Sequence, residues 1–468
     1  MDLISVILNA SSGLSVSRAQ VATASHNIAN ADTPGYARQE AIATDTTPAT
    51  EAGTNSYVGR GVTLQAVVQK RDRFVETQIN NAYTNSANTS AQADALSTVT
   101  ALDSQTKGGI ADALGNFYSA LRNLNQNPSD LSLRQGVVDS TQAVSRAFNV
   151  TAASLASART GLDENVTSLV NKVNGLLTET ADLNHKITLA VNAGRTPNDL
   201  LDVRQNDIDQ LAQLIGARPV PDDRSGVSLV LSGGTCLVSG DVAASLSIQS
   251  NSSNRGHTDV VFAPVDGSPP VALKSSELSG QLGGSISARD DILGKAESSV
   301  DTLAYDFATT VNAQHEAGYA LDGSTGNDLF AAPTSVTGAA SALAVDPTVY
   351  ANPSLVDAAG SSTSGSGDST NLQAVIATET TQLSNGLDVQ AGMAKVTSDF
   401  GVAVSTINDS SEFDKNLLSD LTNARESASG VSVDDEMTKL MQAQNMYNAL
   451  TKVVTITDAM LDTLMKMF

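Results

Sequence analysis

Catalysis or metal binding in this 468-residue chain would have to come from its histidines, its cysteine and its clustered carboxylates, and these are sparse. The four histidines, His26, His185, His257 and His315, stand far apart, with none of the HxxH or HExxH spacings that put two imidazoles on one helix face for zinc. His315 reads as a polar contact at a helix end. A single cysteine, Cys236, leaves no internal disulfide and reads as a small buried residue of a strand. Residues 322–328 (DGSTGND) are rich in oxygen ligands but lack the alternate spacing and terminal Glu of a calcium loop, so they read as a turn. Asp434, Asp435 and Glu436 could serve as paired carboxylates for acid-base work. At the first turn of a helix, however, they read as charges favoured by its macrodipole. No Gly-rich phosphate loop, GxSxG elbow or Cys/His pair offers a nucleophile. A protein that is not an enzyme, with no cofactor and no metal, is expected.

Composition narrows the partners. With Lys+Arg 27 against Asp+Glu 50, the net charge of −23 repels phosphate backbones and anionic headgroups, so neither nucleic acid nor a membrane surface is expected. No uninterrupted apolar run is long enough to span a bilayer. Residues 3–8 (LISVIL) resemble a short signal core, but no cation precedes them, and a cleaved secretory signal is not expected. Aromatic content of 4% with no Trp suits modestly packed, Ala-rich helices better than a dense enzyme core.

The elements that must position these residues follow from periodicity. Residues 2–30 read as one amphipathic helix in which Ile7, Leu14, Val21 and Ile28 recur every seven residues, while Leu3, Ala10, Ser17, Ala24 and Ala31 form a second stripe of mostly small residues. Asp32-Thr33-Pro34-Gly35 ends it in a turn, and extended chain follows over about 36–68. Helix pattern dominates 71–193, with breaks near 108–109 and 125–128, and another helix covers 198–215 and closes at Gly216. Short apolar runs between turn residues make 218–282 β-rich. Helix returns over about 285–316, loop and short strand fill 321–368, and helix pattern runs from about 371 to the end, weakest at 427–430. Its last stretch repeats the N-terminal device, with Val433, Leu440, Tyr447, Val454, Leu461 and Phe468 spaced by seven.

The expected fold class is therefore mainly α with a β-rich insertion. The N- and C-terminal helices pair in a coiled-coil-like inner domain (1–70 with 431–468), a helical middle domain follows (71–217 with 283–430), and 218–282 forms a small outer β domain. Two such helices cannot bury every face against each other, so further copies of the chain are expected to cover the rest. The seam residues named above, from Ile7 to Ile28 and from Val433 to Phe468, are the candidate subunit-packing seam.

Residues 25–39 (SHNIANADTPGYARQ), with Asn27, Asn30, Thr33, Pro34, Gly35 and Tyr36, resemble the N-terminal signature shared by flagellar rod, hook and hook-associated proteins. The run from 433 (VDDEM) through Leu464 is similar to that family's C-terminal tail. Two inner segments resemble the hook-associated branch: 198–207 (NDLLDVRQND) and 280–330, with Gly283, Gly284, Arg289, Asp290, Asn312, His315 and Asp328-Leu329-Phe330. In one departure, Gln205 and Asn206 separate Arg204 from Asp207 where the family commonly has Arg-Asp adjacent.

The resemblance implies a structural subunit that polymerises as the junction between hook and filament and is needed for filament attachment. It further implies export through the type III apparatus to an extracellular position in the flagellum. The partners it implies are a ring of the same subunit, the hook subunit on one side, a second hook-associated protein on the filament side, and a cytoplasmic export chaperone at the C-terminal region. The alternatives are a hook or distal-rod subunit and, from another class, a secreted hydrolase with its activity in 218–282.

Overall fold

The computed structural model describes residues 3–33, 35–46, 49–50, 57–100, 102, 108–221, 226–265 and 267–467. Helix α1 (Leu3–Ala29) leads through a turn into strands β1 (Gln39–Asp45), β2 (Ala49–Thr50), β3 (Tyr57–Val58) and β4 (Val62–Gln69). β1 and β4 form an antiparallel ribbon, Gln39 opposite Gln69, bulged between Ile42 and Ala43. The ribbon lies along α1: Asn9 Nδ2 donates to Gly59 O at 3.1 Å, and the Val62 amide donates to Ser12 Oγ at 3.2 Å. This approach needs a glycine at 61, whose φ of 88° is left-handed and where a Cβ would collide with Ser12.

Four helices follow: α2 (Arg73–Ser97), α3 (Ile110–Gln126), α4 (Leu131–Asn192) and α5 (Asn198–Ile215). Asp72 caps α2 and Asp130 caps α4, each accepting from two backbone amides of the first turn. Gly216, with φ 73°, closes α5 in the left-handed cap read from the sequence. At 62 residues, α4 is about 93 Å long.

Strands β5 (Arg218–Pro221), β6 (Val227–Val230), β7 (Cys236–Ser239) and β8 (Val242–Ala243) make one antiparallel sheet, in order along the chain. β9 (Ser245–Ser250), β10 (Thr258–Ala263) and β11 (Val271–Ala272) make a second, with β10 central. The two sheets have no core of their own. Leu229, Leu237, Val238, Leu246 and Val260 share one apolar cluster with Val166, Val173 and Leu177 of α4 and Leu211 and Ile215 of α5. Cys236 is exposed at the start of β7, not buried as its type suggests, because the neighbouring Leu237 takes the inward position.

Helix α6 (Gly280–Ser287) runs through a π-helical turn (Ala288–Leu293) into α7 (Gly294–His315), beginning a few residues before the sequence-based boundary. Short helices α8 (Ala339–Ala342), α9 (Pro347–Ala351) and α10 (Thr370–Ala377) precede two long ones, α11 (Val389–Ser429) and α12 (Val433–Met465). The second apolar cluster joins α3, the first half of α4 and α7, and holds an aromatic set of Phe117, Tyr118, Phe307 and Phe330, mostly edge-to-face with centroids 5.1–6.4 Å apart. α4 thus serves both cores. The chain is mainly α with small antiparallel sheets, and its first and last helices pack on each other.

Candidate functional site

The chain ends are joined at a buried polar node. Asn27, on the last turn of α1, is fully buried, and its amide nitrogen donates to Gln39 O and to Glu436 Oε2, both at 2.9 Å. Its amide oxygen accepts from Tyr36 OH at 2.7 Å and from the Gln39 amide at 2.9 Å. One side chain therefore ties α1, the turn, β1 and α12 with all of its hydrogen-bonding capacity in use. Glu436 is 2% exposed and also accepts from Lys439 Nζ at 2.6 Å, so only Asp434 and Asp435 of the acidic run are solvated first-turn charges. Burial, then the charges of Asp202, Asp199 and Glu436, push the Tyr36 hydroxyl well above its ordinary pKa, which keeps it a donor.

The rest of the signature builds the turn that delivers Tyr36. Asn30 Nδ2 donates to His26 O at 2.9 Å, the Thr33 amide to Asn30 O at 3.0 Å and the Tyr36 amide to Thr33 O at 3.1 Å. Gly35 has φ 79°, and its carbonyl accepts from Arg71 at 2.9 Å. Pro34 lies outside the described residues.

The seam residues are not the most deeply buried positions of the terminal helices. On α1 the buried stripe is Ala10, Ser17 and Ala24; on α12 it is Glu436, Ala443 and Thr457. These are mostly small, and they let the helices approach closely: a Cβ at Gly13 would lie 2.9 Å from Leu450. Ile7, Leu14, Val21, Ile28, Leu440, Val454 and Leu461 are left half-buried, and Val433 and Tyr447 are exposed. Phe468 lies outside the described residues. A further heptad, Met446, Val453 and Met460 on α12 with Met467 just after it, is exposed. In heptad geometry it flanks the α1 contact on the side opposite Leu440, Tyr447, Val454 and Leu461. α12 thus carries an apolar flank on each side of a narrow contact.

A second latch holds this pair to the helical body. Arg71 reaches Asp202 Oδ1 at 2.5 Å and Glu76 Oε1 at 3.1 Å, while Asn198 Nδ2 donates to Val67 O at 2.9 Å and Gln69 Nε2 to Asn198 O at 2.8 Å. His26 stands 3.3 Å from Asp199. The inner segment 198–202 is therefore the dock of the ribbon and of the signature turn. Further along α5, Arg204 donates to Asn184 Oδ1 at 2.9 Å, and Asp209, pushed up to about 6 by burial, meets Arg425 of α11 at 3.3 Å.

Asp207 is buried with one carboxylate oxygen unpartnered among the described residues; burial first, then the charge of Glu179, push it up to about 7. Because the folded pKa is raised, the stability linked to this group is fully present below its unfolded value and is lost as pH rises through about 7. Asp207→Asn is expected to flatten the stability profile by about 2 kcal/mol between pH 5 and pH 8 relative to the parent, measured by urea denaturation.

The chain matches the family model described as the flagellar hook-associated protein FlgK helical domain over residues 96–330. It belongs to the FlgK family of flagellar hook-associated proteins. Its ends match models shared more widely: the flagella basal body rod protein over 7–36, and the flagellar basal body rod FlgEFG protein C-terminal over 424–467. Similar curated proteins include flagellar hook-associated protein 1 of Escherichia coli, 25% identical over 98% of this chain and 99% of its own length. Flagellar hook-associated protein 1 of Bacillus subtilis is 28% identical over 96% of this chain and 95% of its own length. The fold is that of the solved flagellar hook junction protein FlgK from Burkholderia pseudomallei, with TM-score 0.68 and 18% identity over 75% of this chain and 100% of that one.

As a flagellar hook-associated protein the chain is structural, not an enzyme. The segments that resembled the hook-associated branch hold its middle together. Arg289, on the π-helical turn, reaches Asp163 Oδ1 at 2.5 Å and Asp290 at 2.7 Å, and His257 contacts the other Asp163 oxygen at 2.5 Å. Burial opposes ionisation of Asp163, but hydrogen bonds from His257 and Thr258, with the Arg289 charge, hold its pKa below the ordinary value. His315 is fully buried: it accepts at Nε2 from the Asp357 amide at 2.9 Å, so Nδ1 donates to Asn327 O at 2.6 Å. Burial lowers it to about 4, and it stays neutral as a bridge between two loops. Asp322 accepts from the Ser324 amide at 2.9 Å and its hydroxyl at 2.6 Å, which closes a local turn. His185 sits 3.4 Å from Asp241 on the surface. Among the described residues no helix is long and apolar enough to cross a membrane, and no group of His, Cys, Asp and Glu could hold a metal ion.

Sequence reading missed Glu436 and Gln39 as members of the node. Both stood in the family-like segments, Gln39 at the end of 25–39 and Glu436 in the run from 433, but nothing local marks either as a partner of Asn27.

Proposed function

We propose that this chain is the subunit of a ring at the hook-filament junction, outside the cell, and that filament attachment requires it. One observation carries the reading: α12 has an exposed apolar heptad on one side of its buried stripe and a half-buried one on the other, so each subunit needs a neighbour on both flanks. Residues 1–70 with 431–468 form the inner layer, 71–217 with 283–430 the middle, and 218–282 the outermost part. The subunit meets copies of itself around the ring, the hook subunit on one side and a second hook-associated protein on the filament side. It travels by type III export, accompanied by a cytoplasmic chaperone at its C-terminal region. The names of its relatives and the match of residues 96–330 to the FlgK helical domain support this place in the stack, while the rod-protein models matched by its ends support an axial subunit more generally.

Deleting the chain in its own host is expected to leave hooks of normal length without filaments, with flagellin released into the medium. Electron microscopy of the cells and immunoblots of the culture fluid read both. Cells lacking hooks altogether would instead mark a hook or distal-rod subunit.

A further inference from the structure

The methionines of this chain are not spread through its cores. Of 8 in the sequence, six fall in or just after α12, at 437, 441, 446, 460, 465 and 467, and all six are 45–79% exposed. Met393, by contrast, is 6% exposed. With one cysteine in the chain, these thioethers are the main redox-labile groups the protein presents. Met446, Met460 and Met467 also stand on one of the two open apolar heptads of α12.

We propose that this methionine surface is a redox-sensitive assembly switch. In the unassembled chain a hydroperoxide oxidises it, and the sulfoxide-bearing subunit is then excluded from polymerisation until a thiol-dependent methionine sulfoxide reductase restores the thioether, the oxygen leaving as water and the reductase thiols ending as a disulfide. A thioether sulfur attacks one peroxide oxygen, the O–O bond breaks as the S–O bond forms, and hydrogen peroxide leaves as water; sulfur loses two electrons and the peroxide gains them. The product is a polar sulfoxide on a surface that must enter an apolar contact, and that contact loses both its burial and its adaptable fit. Assembled subunits bury the same sulfurs and are protected. The switch rests on the reading above that the flanks of α12 are covered by neighbours.

The test uses the full-length chain and hook-ended flagella from cells lacking it. After treatment with hydrogen peroxide, peptide mass spectrometry should find sulfoxide at Met437, Met441, Met446 and Met460 before Met393. Binding to the hook ends should fall about tenfold and return after treatment with methionine sulfoxide reductases A and B. A chain oxidised at these four positions that still binds like the untreated one overturns the switch. The variant M437L/M441L/M446L/M460L/M465L/M467L should bind and keep binding through peroxide; loss equal to the parent's would also overturn it. Untreated Leu440→Asp separates the two ideas. If it binds normally, the covered-flank reading itself fails; if it does not bind while oxidised parent does, only the switch fails.

Discussion

Replacing Asn27 by Leu is expected to stop incorporation of the subunit into the flagellum almost completely. The substitution keeps the size of the side chain and removes four hydrogen bonds at once, to Gln39 O, Glu436 Oε2, Tyr36 OH and the Gln39 amide. Glu436 retains Lys439 but loses its second partner in a place where it is 2% exposed. Leaving a buried carboxylate oxygen and a buried amide without partners costs about 3–5 kcal/mol, or about 150-fold and upward in the equilibrium that pairs α1, β1 and α12. Tyr36→Phe removes one of these bonds and should cost about 1 kcal/mol. Motility-agar diameter and the amount of subunit retained on purified hooks distinguish the two variants. Equal and mild effects would show that the node does not hold the ends together.

The second large effect separates the two stripes of α12. Leu440→Asp places a carboxylate at a half-buried apolar position beside the buried stripe of α12, and is expected to leave the ends paired while preventing a neighbour from seating against them. Attachment should fall by at least about 100-fold with little change in the circular dichroism of the purified chain. Ile7→Asp acts in the same way on α1, while Ser364→Asp, on an exposed loop, should leave attachment near normal. Ala443→Leu does the opposite: it overpacks the small stripe against α1, where overpacking costs about 1–3 kcal/mol, and should disturb the pair before any neighbour is involved.

Much of this architecture could be read from periodicity alone. α1, α5 with its closing Gly216, and α12 stand where the apolar spacing put them, and the turn-rich segment is β. What periodicity could not say is which face meets which partner. The eye goes to Ile7, Leu14 and Leu440, yet the deepest burial is at Ala10, Ser17, Ala24 and Ala443, because small side chains let backbones approach while adding little to a hydrophobic pattern. The break between α10 and α11 was also missed. It depends on Gly386 at φ 76° and on Asp388, whose carboxylate accepts from the Ala391 amide at 2.8 Å, signals that are faint inside a long helical pattern. The sharing of one apolar cluster by α4, α5 and the β sheets is a long-range fact that local composition does not encode.

The node was half legible. Asn27 and Tyr36 stood out through the signature, and Glu436 lay in the family-like tail, but as a first-turn charge it had a sufficient local explanation. Only the fold puts its carboxylate 2.9 Å from Asn27, across 409 residues of chain.

Hydroxyl-radical footprinting of the isolated chain against flagella carrying it tests the central claim most directly. Tyr447 and Val453 are 38% and 39% exposed in the single chain, one on each open flank of α12. On assembly both should become protected, together with Met446 and Met460, while Ala443 stays unlabelled in either state. If Tyr447 and Val453 are labelled equally in the free and assembled protein, no neighbour covers those flanks and the account of how the subunit polymerises is wrong.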